Sequence, residues 1–136
     1  MPIVSFEVAT LGLYDDARYP GRCILALNRH TEDFPSLSAP TTRAFVAEAQ
    51  EAARAIASVV DASRMNFAIL GNAVPHLHWH IIPRFGARDP ASGRSPWSTR
   101  EPARPLSNED RHSLVTQIAL ALVGERKTLT RLKEGS

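Results

Sequence analysis

The chain has 136 residues, with 43% hydrophobic and 22% charged residues, one cysteine and a formal net charge of +2. Those values predict one globular domain over 1–136 with a core of its own. They exclude an internal disulfide and a four-cysteine zinc site, and so small a charge makes no case for a nucleic-acid partner.

Cys23 as the single thiol suits a reducing cytoplasm, the expected location. Met1 to Asp16 lacks the basic start and apolar run of a signal peptide. No stretch approaches the ~20 apolar residues that span a bilayer, so no membrane partner is expected.

Ile3 to Val8 alternates and reads as a strand, with Leu11 to Tyr14 as its partner. Asp15 to Gly21 is a turn carrying Pro20 and Gly21, and Arg22 to Leu27 is a further strand. Thr31 to Pro40 is a polar connection. A helix capped near Ser38 or Thr41 follows, with Phe45, Ala49, Ala52, Ile56 and Val59 as one apolar stripe. Arg64 to Leu70 is a strand, Gly71-Asn72 a turn, and His76 to Pro83 the central strand. Gly86 to Pro105, rich in Pro, Ser, Gly and Arg, is a long loop. Ser107 caps a last helix with Glu109 and Asp110 in its first turn and Leu114, Val115, Ile118 and Leu122 as its stripe. Gly124 is its expected end, and Glu125 to Ser136 reads as a charged, mobile tail. Strands joined by short turns, with helices between, predict an α+β domain: an antiparallel sheet with two main helices on one face.

The segment Pro75-His76-Leu77-His78-Trp79-His80-Ile81-Ile82-Pro83-Arg84 carries the chemistry. In a strand, residues two apart share a face, so His76, His78 and His80 line up roughly 6–7 Å apart. Leu77, Trp79 and Ile81 then face a core. A neutral imidazole is a competent nucleophile near pH 7. Attack on phosphorus gives a phosphoramidate that water can cleave, provided the other ring nitrogen donates to a fixed acceptor such as a backbone carbonyl. Spacing alone also permits a three-histidine zinc site, although no acidic residue joins the cluster.

This segment matches in full the motif His-φ-His-φ-His-φ-φ, with φ apolar, and on it the chain resembles the histidine triad (HIT) family of nucleotide hydrolases and transferases. It is similar to bacterial diadenosine tetraphosphate hydrolase-like members. The resemblance runs from about Leu13 to Arg84 and is strongest over Asn66 to Arg84. It implies the histidine-triad fold, a homodimer, and His78 as nucleophile, with His80 on the phosphoryl oxygens and His76 orienting the site. It further implies that Asn72 offers its amide to the bridging oxygen, that Asn66 reaches a phosphate or sugar oxygen, and that Asp15, with Asp16 one residue on, contacts ribose. An exposed acidic turn is the plain alternative for Asp15, and a simple turn residue for Asn72. His30 ends a strand and matches a histidine often seen there in the family, though as a lone histidine it reads as structural or surface, and His112 reads as a solvated or packed side chain.

Two departures matter. Arg22 stands where many members carry a fourth histidine supporting the first triad histidine. An arginine is no neutral acceptor, so it either points away or binds phosphate. Ala73 replaces a usual Ser or Thr. The arginines of the long loop, Arg84, Arg88, Arg94, Arg100 and Arg104, and Trp97 bear on substrate choice or are simply solvated.

The activity implied is hydrolysis at the α-phosphate of a nucleoside monophosphate derivative, through a nucleotidyl-histidine. Dinucleoside polyphosphates and nucleoside phosphoramidates are both candidate substrates. No metal or other cofactor is required, though magnesium can accompany a polyphosphate. A nucleotidylyl transferase or phosphorylase, and a noncatalytic nucleotide-binding module, are the alternatives.

Overall fold

The computed structural model describes every residue except Glu32, Ala73 and Ser136, with Thr128 and Leu129 described by backbone alone. Strands β1 (Pro2–Ser5), β2 (Ala9–Leu13), β3 (Cys23–Leu27), β4 (Arg64–Ala68) and β5 (His78–Arg84) form one sheet, ordered β1-β2-β3-β5-β4. Every pairing is antiparallel. Helices α1 (Ala39–Val60) and α2 (Asn108–Glu134) pack against each other and on one face of the sheet, an α+β architecture as the pattern predicts.

Alternation decides which face is which. Ala9, Leu11 and Leu13 of β2 and Cys23, Leu25 and Leu27 of β3 are buried toward the helices. They join Ile81 of β5, Phe45, Ala49, Ala52 and Ile56 of α1, and Ile118 and Leu122 of α2 in one core. Leu25 pairs with Trp79 and Cys23 with Ile81 on this side. The same register therefore puts Ile24 beside His80 and Ala26 beside His78 on the outer face. The small side chain of Ala26 leaves room over the histidines.

Caps fix α1. The Ser38 hydroxyl accepts from the Thr41 N–H at 3.3 Å, Pro40 sits in the first turn where its missing N–H costs nothing, and Asp61 ends the helix at φ 53. Ser38, rather than Thr41, is thus the cap. Glu48 of α1 is buried and accepts from the N–H groups of Val8 and Ala9, tying the helix to the β1–β2 turn. Gly21 has φ +96 and a Cβ there would stand 2.8 Å from Cγ1 of Val60, so the turn before β3 requires glycine. Cys23 is wholly buried beneath the sheet, where burial pushes its thiol up to about 12.

Strand β2 begins at Ala9 instead of Leu11 and β4 ends at Ala68 instead of Leu70, and the larger differences from the expected elements are three. β1 stops at Ser5 because Phe6 turns inward and its N–H bonds the Ala9 carbonyl at 2.7 Å. His76 lies outside β5, which starts at His78. Gly124 does not end α2; the helix continues to Glu134. A mid-helix glycine costs only about 1 kcal/mol, and the continuation is tied to α1 by Arg54–Glu125 at 3.0 Å and Arg126–Glu51 at 3.3 Å. Among the described residues, no helix is long and apolar enough to cross a membrane.

Candidate active site

The outer face of β3 and β5 floors a cavity of about 840 Å³. His76, His78, His80 and Asn72 all line it, together with Arg22. Its walls are apolar: Ile24 and Ala26 from β3, Leu70 and Val74 from the β4–β5 connection, and the rings of Tyr14 and Trp97. Such a mixture, an apolar enclosure with a few converging polar groups, is the usual make-up of a small-molecule site.

Hydrogen-bond partners set the protonation of each ring. Nδ1 of His78 lies 2.7 Å from the backbone carbonyl of His76. A carbonyl only accepts, so Nδ1 carries the proton and Nε2 keeps its lone pair. Nε2 of His78 is 3.2 Å from Nε2 of His80, and Nδ1 of His80 is 3.4 Å from an NH2 group of Arg22. A guanidinium only donates, so His80 holds its proton on Nε2 and directs it at the lone pair of His78. Burial, the His78 ring and the Arg22 charge together lower His80 to about 4. It is therefore a neutral donor at pH 7.

His76 is held separately. Its Nε2 donates to the carbonyl of Leu27 at 2.6 Å, and its Nδ1 meets Nδ1 of His30 at 3.0 Å. His30 thus stands beside His76, brought there by the chain after β3, and lines a neighbouring cavity instead of this one. The spacing of the triad gave no sign of this contact. His112 is exposed on α2.

Arg22 neither points away nor stands open to solvent. It is 5% exposed, bonded to Asp16 at 3.2 Å and lies over the Tyr14 ring at 4.0 Å, with the Trp97 ring at 5.6 Å. Its Nε has no partner among the described residues. Asp16 is buried and also takes a two-bond fork from Arg18, both bonds 2.9 Å. Burial pushes its carboxyl up, but the bonds from Arg18 and the two guanidinium charges outweigh this and hold it below the usual carboxylate range. Two guanidiniums share one carboxylate, so a surplus positive charge lies next to His80. The Trp97 ring stands perpendicular to that of His80, 5.2 Å between centroids and 88° between planes, brought there by a short 3-10 turn, Pro96–Ser98, of the same chain.

Two expected site residues lie elsewhere. Asp15 accepts from the N–H of Leu106 and from Arg111, both at 2.8 Å, and so anchors the start of α2 instead of facing the cavity. Asn66 does share the triad face, but it pairs with Ile82, one step beyond His80. Its Oδ1 accepts from Arg84 at 2.6 Å, outside the cavity. Of the arginines, Arg84 is buried, whereas Arg88, Arg94, Arg100 and Arg104 are exposed. Ala73 lies outside the described residues. Among the described residues, no three His, Cys, Asp or Glu side chains are arranged to hold a metal ion.

The family model described as HIT domain matches residues 3–87. No curated protein matches the chain. Among solved structures it is similar to a histidine triad protein of Sinorhizobium meliloti 1021, at TM-score 0.81 and 24% identity, covering 89% of this chain and 88% of that one. A histidine triad protein of Bradyrhizobium japonicum gives 0.81 and 24%, with 90% of each chain covered. More distant is the diadenosine triphosphate hydrolase of Plasmodium falciparum, at 0.63 and 14%, covering 93% of this chain and 76% of that one. These likenesses establish a shared fold.

Proposed function

The chain belongs to the HIT-domain family, and from that premise we propose that it is a hydrolase of nucleoside monophosphate derivatives acting through a nucleotidyl-histidine. One observation carries the reading: Nε2 of His78 keeps an unprotonated lone pair, met only by the Nε2–H of His80, on a ring fixed by the His76 carbonyl at 2.7 Å, within a cavity large enough for a nucleotide. The lone pair forms an N–P bond as the bond from phosphorus to the leaving group breaks. The leaving group keeps that electron pair and takes up a proton from solvent, to which the attacking water of the next step returns one. Water then attacks phosphorus, the N–P bond breaks, and His78 regains its lone pair as the nucleoside monophosphate departs. The Nε2–H of His80, no longer bonded to the lone pair, donates to a phosphoryl oxygen, and the amide of Asn72 serves the bridging oxygen.

Dinucleoside polyphosphates and nucleoside phosphoramidates both fit this chemistry. The diadenosine triphosphate hydrolase among the fold neighbours makes a dinucleoside polyphosphate the first to try. No cofactor is needed in this scheme, beyond magnesium accompanying a polyphosphate. A homodimer belongs to the same proposal, since β4 is an edge strand with Phe67 46% exposed on it.

Turnover of adenosine phosphoramidate and diadenosine triphosphate, for wild type and His78→Ala, with and without chelator, tests the reading. Wild type should turn over at least one of them and give a nucleotidyl adduct detectable by mass spectrometry. His78→Ala should lose about 10⁴-fold or more. Phosphoramidate cleavage should survive chelator. A folded wild type with neither turnover nor adduct would overturn the proposal.

A further inference from the structure

We propose that Arg22 is a positioning residue for His80: by donating an N–H to Nδ1, it confines the ring proton to Nε2, the nitrogen that faces His78 and the cavity. The proposal deepens the reaction above and rests on it. Its basis is a directed run of bonds. Arg22 donates to His80, His80 donates to His78, and His78 donates to the His76 carbonyl, at 3.4, 3.2 and 2.7 Å. Each ring has one proton and each proton has one acceptor, so the two tautomers, of His80 and His78, are mutually determined.

Arg22 is held in place for this role. Asp16 holds one end of its guanidinium and the Tyr14 ring covers its face at 4.0 Å, while Arg18 in turn fixes Asp16. A side chain this enclosed has little freedom to leave His80 for solvent.

The arrangement also bars a second proton from His80. A proton on Nδ1 would set N–H against N–H, beside a guanidinium charge that Asp16 only shares. The consequence reaches the nucleophile. A cationic His80 would hold the His78 lone pair in a charge-assisted hydrogen bond and withdraw it from attack. A neutral His80 gives it up when phosphorus arrives. The groups facing His80 are His78 from β5 and Arg22 from the turn before β3. Asp16, Arg18 and the Tyr14 phenol lie behind Arg22, and Trp97 brings no titratable group. The lowered value of His80 agrees with this geometry.

The test combines ¹⁵N NMR of the histidine side chains with pH profiles of kcat/KM on diadenosine triphosphate, for wild type, Arg22→Ala, Arg22→Gln and Arg22→Lys. Wild-type His80 should read as the Nε2–H tautomer and stay neutral down to about pH 5. In Arg22→Ala and Arg22→Gln its titration, and the acid limb of kcat/KM, should both move up by about one pH unit or more. The loss should then grow toward about ten-fold as pH falls to about 4 and vanish at about pH 8, with Arg22→Lys restoring most of the acid limb. An unchanged tautomer and titration with activity falling evenly at all pH would overturn the proposal. So would wild-type His80 found as the Nδ1–H form or as imidazolium at neutral pH, an outcome that needs no variant to fold. The NMR reading stands even if wild type turns nothing over, in which case the hydrolase proposal fails and this one is judged on the ring alone.

Discussion

Arg84 and Asp89 meet in a two-bond fork, Nε to Oδ2 at 2.8 Å and NH2 to Oδ1 at 2.9 Å, both side chains almost fully buried. The same guanidinium donates to the carbonyls of Ala91 and Arg94 and to Asn66, and Asp89 accepts from the N–H groups of Phe85 and Ala91. Burial pushes the Asp89 carboxyl up, and these bonds more than offset it, leaving it below the usual range. The end of β5 is thereby riveted to the loop that delivers Trp97. Arg84→Met strands a buried carboxylate and should cost about 3–5 kcal/mol, read from urea unfolding. A loss under 1 kcal/mol would show that the fork is dispensable.

Acid should weaken the fold in two stages. His80 binds its proton in the unfolded chain near 6.5 but only at about 4 when folded. Between those values the unfolded state holds more protons, so stability falls as pH falls. Asp16 and Asp89, with folded values below the ordinary 3.8, add their loss lower still. Glu48 has the opposite sign, because burial raises it and its contribution fades as pH climbs above 4.5. Melting temperatures of wild type and His80→Asn from pH 7 to 4 isolate the first stage. The wild-type decline should be steeper, and parallel curves would remove His80 as its cause.

Trp97 should matter for affinity. Its ring walls the cavity beside His80. Trp97→Ala should raise KM about ten-fold, in line with the ~1–3 kcal/mol of a base–aromatic stack, and kcat should change less. Unchanged KM would place the ring outside the bound complex.

Asp15 offers a control in the opposite direction. Its bonds run to Leu106 and Arg111 at the start of α2. Asp15→Ala should leave KM alone and cost about 1 kcal/mol of stability, since the Arg111 pair is half-exposed and screened. A selective rise in KM would return Asp15 to the ribose.

Pairing of two copies along β4 would cover Phe67. On that reading Phe67→Lys should convert a wild-type dimer to a monomer in light scattering. A wild type that is monomeric at assay concentration would remove the dimer from the proposal.

Much of this was legible in the residues. Leu77, Trp79 and Ile81, with the apolar stripes of the two helices, marked the core face, and the His-x-His-x-His spacing located the working face. What escaped depends on contacts distant in sequence. His30 and His76 are 46 residues apart and Arg22 and His80 are 58 apart, and no local pattern encodes either meeting. Asp15 and Asp16 are neighbours with equal chemistry. Only the path of the turn sends one to α2 and the other to Arg22. Gly124 carried a stop signal, yet α2 runs on past it to Glu134, alongside the ion pairs to α1.

The thiol of Cys23 is sealed in the middle of the sheet, opposite Ile81 and one residue from Arg22. A group so enclosed, and with its ionisation suppressed, meets an alkylating reagent only when the central strands part. The protein therefore carries its own clock: labelling of this one sulfur times the opening of the same strands that hold the histidines. Any ligand of the cavity that steadies those strands can be ranked by how far it slows that clock, with no assay of turnover.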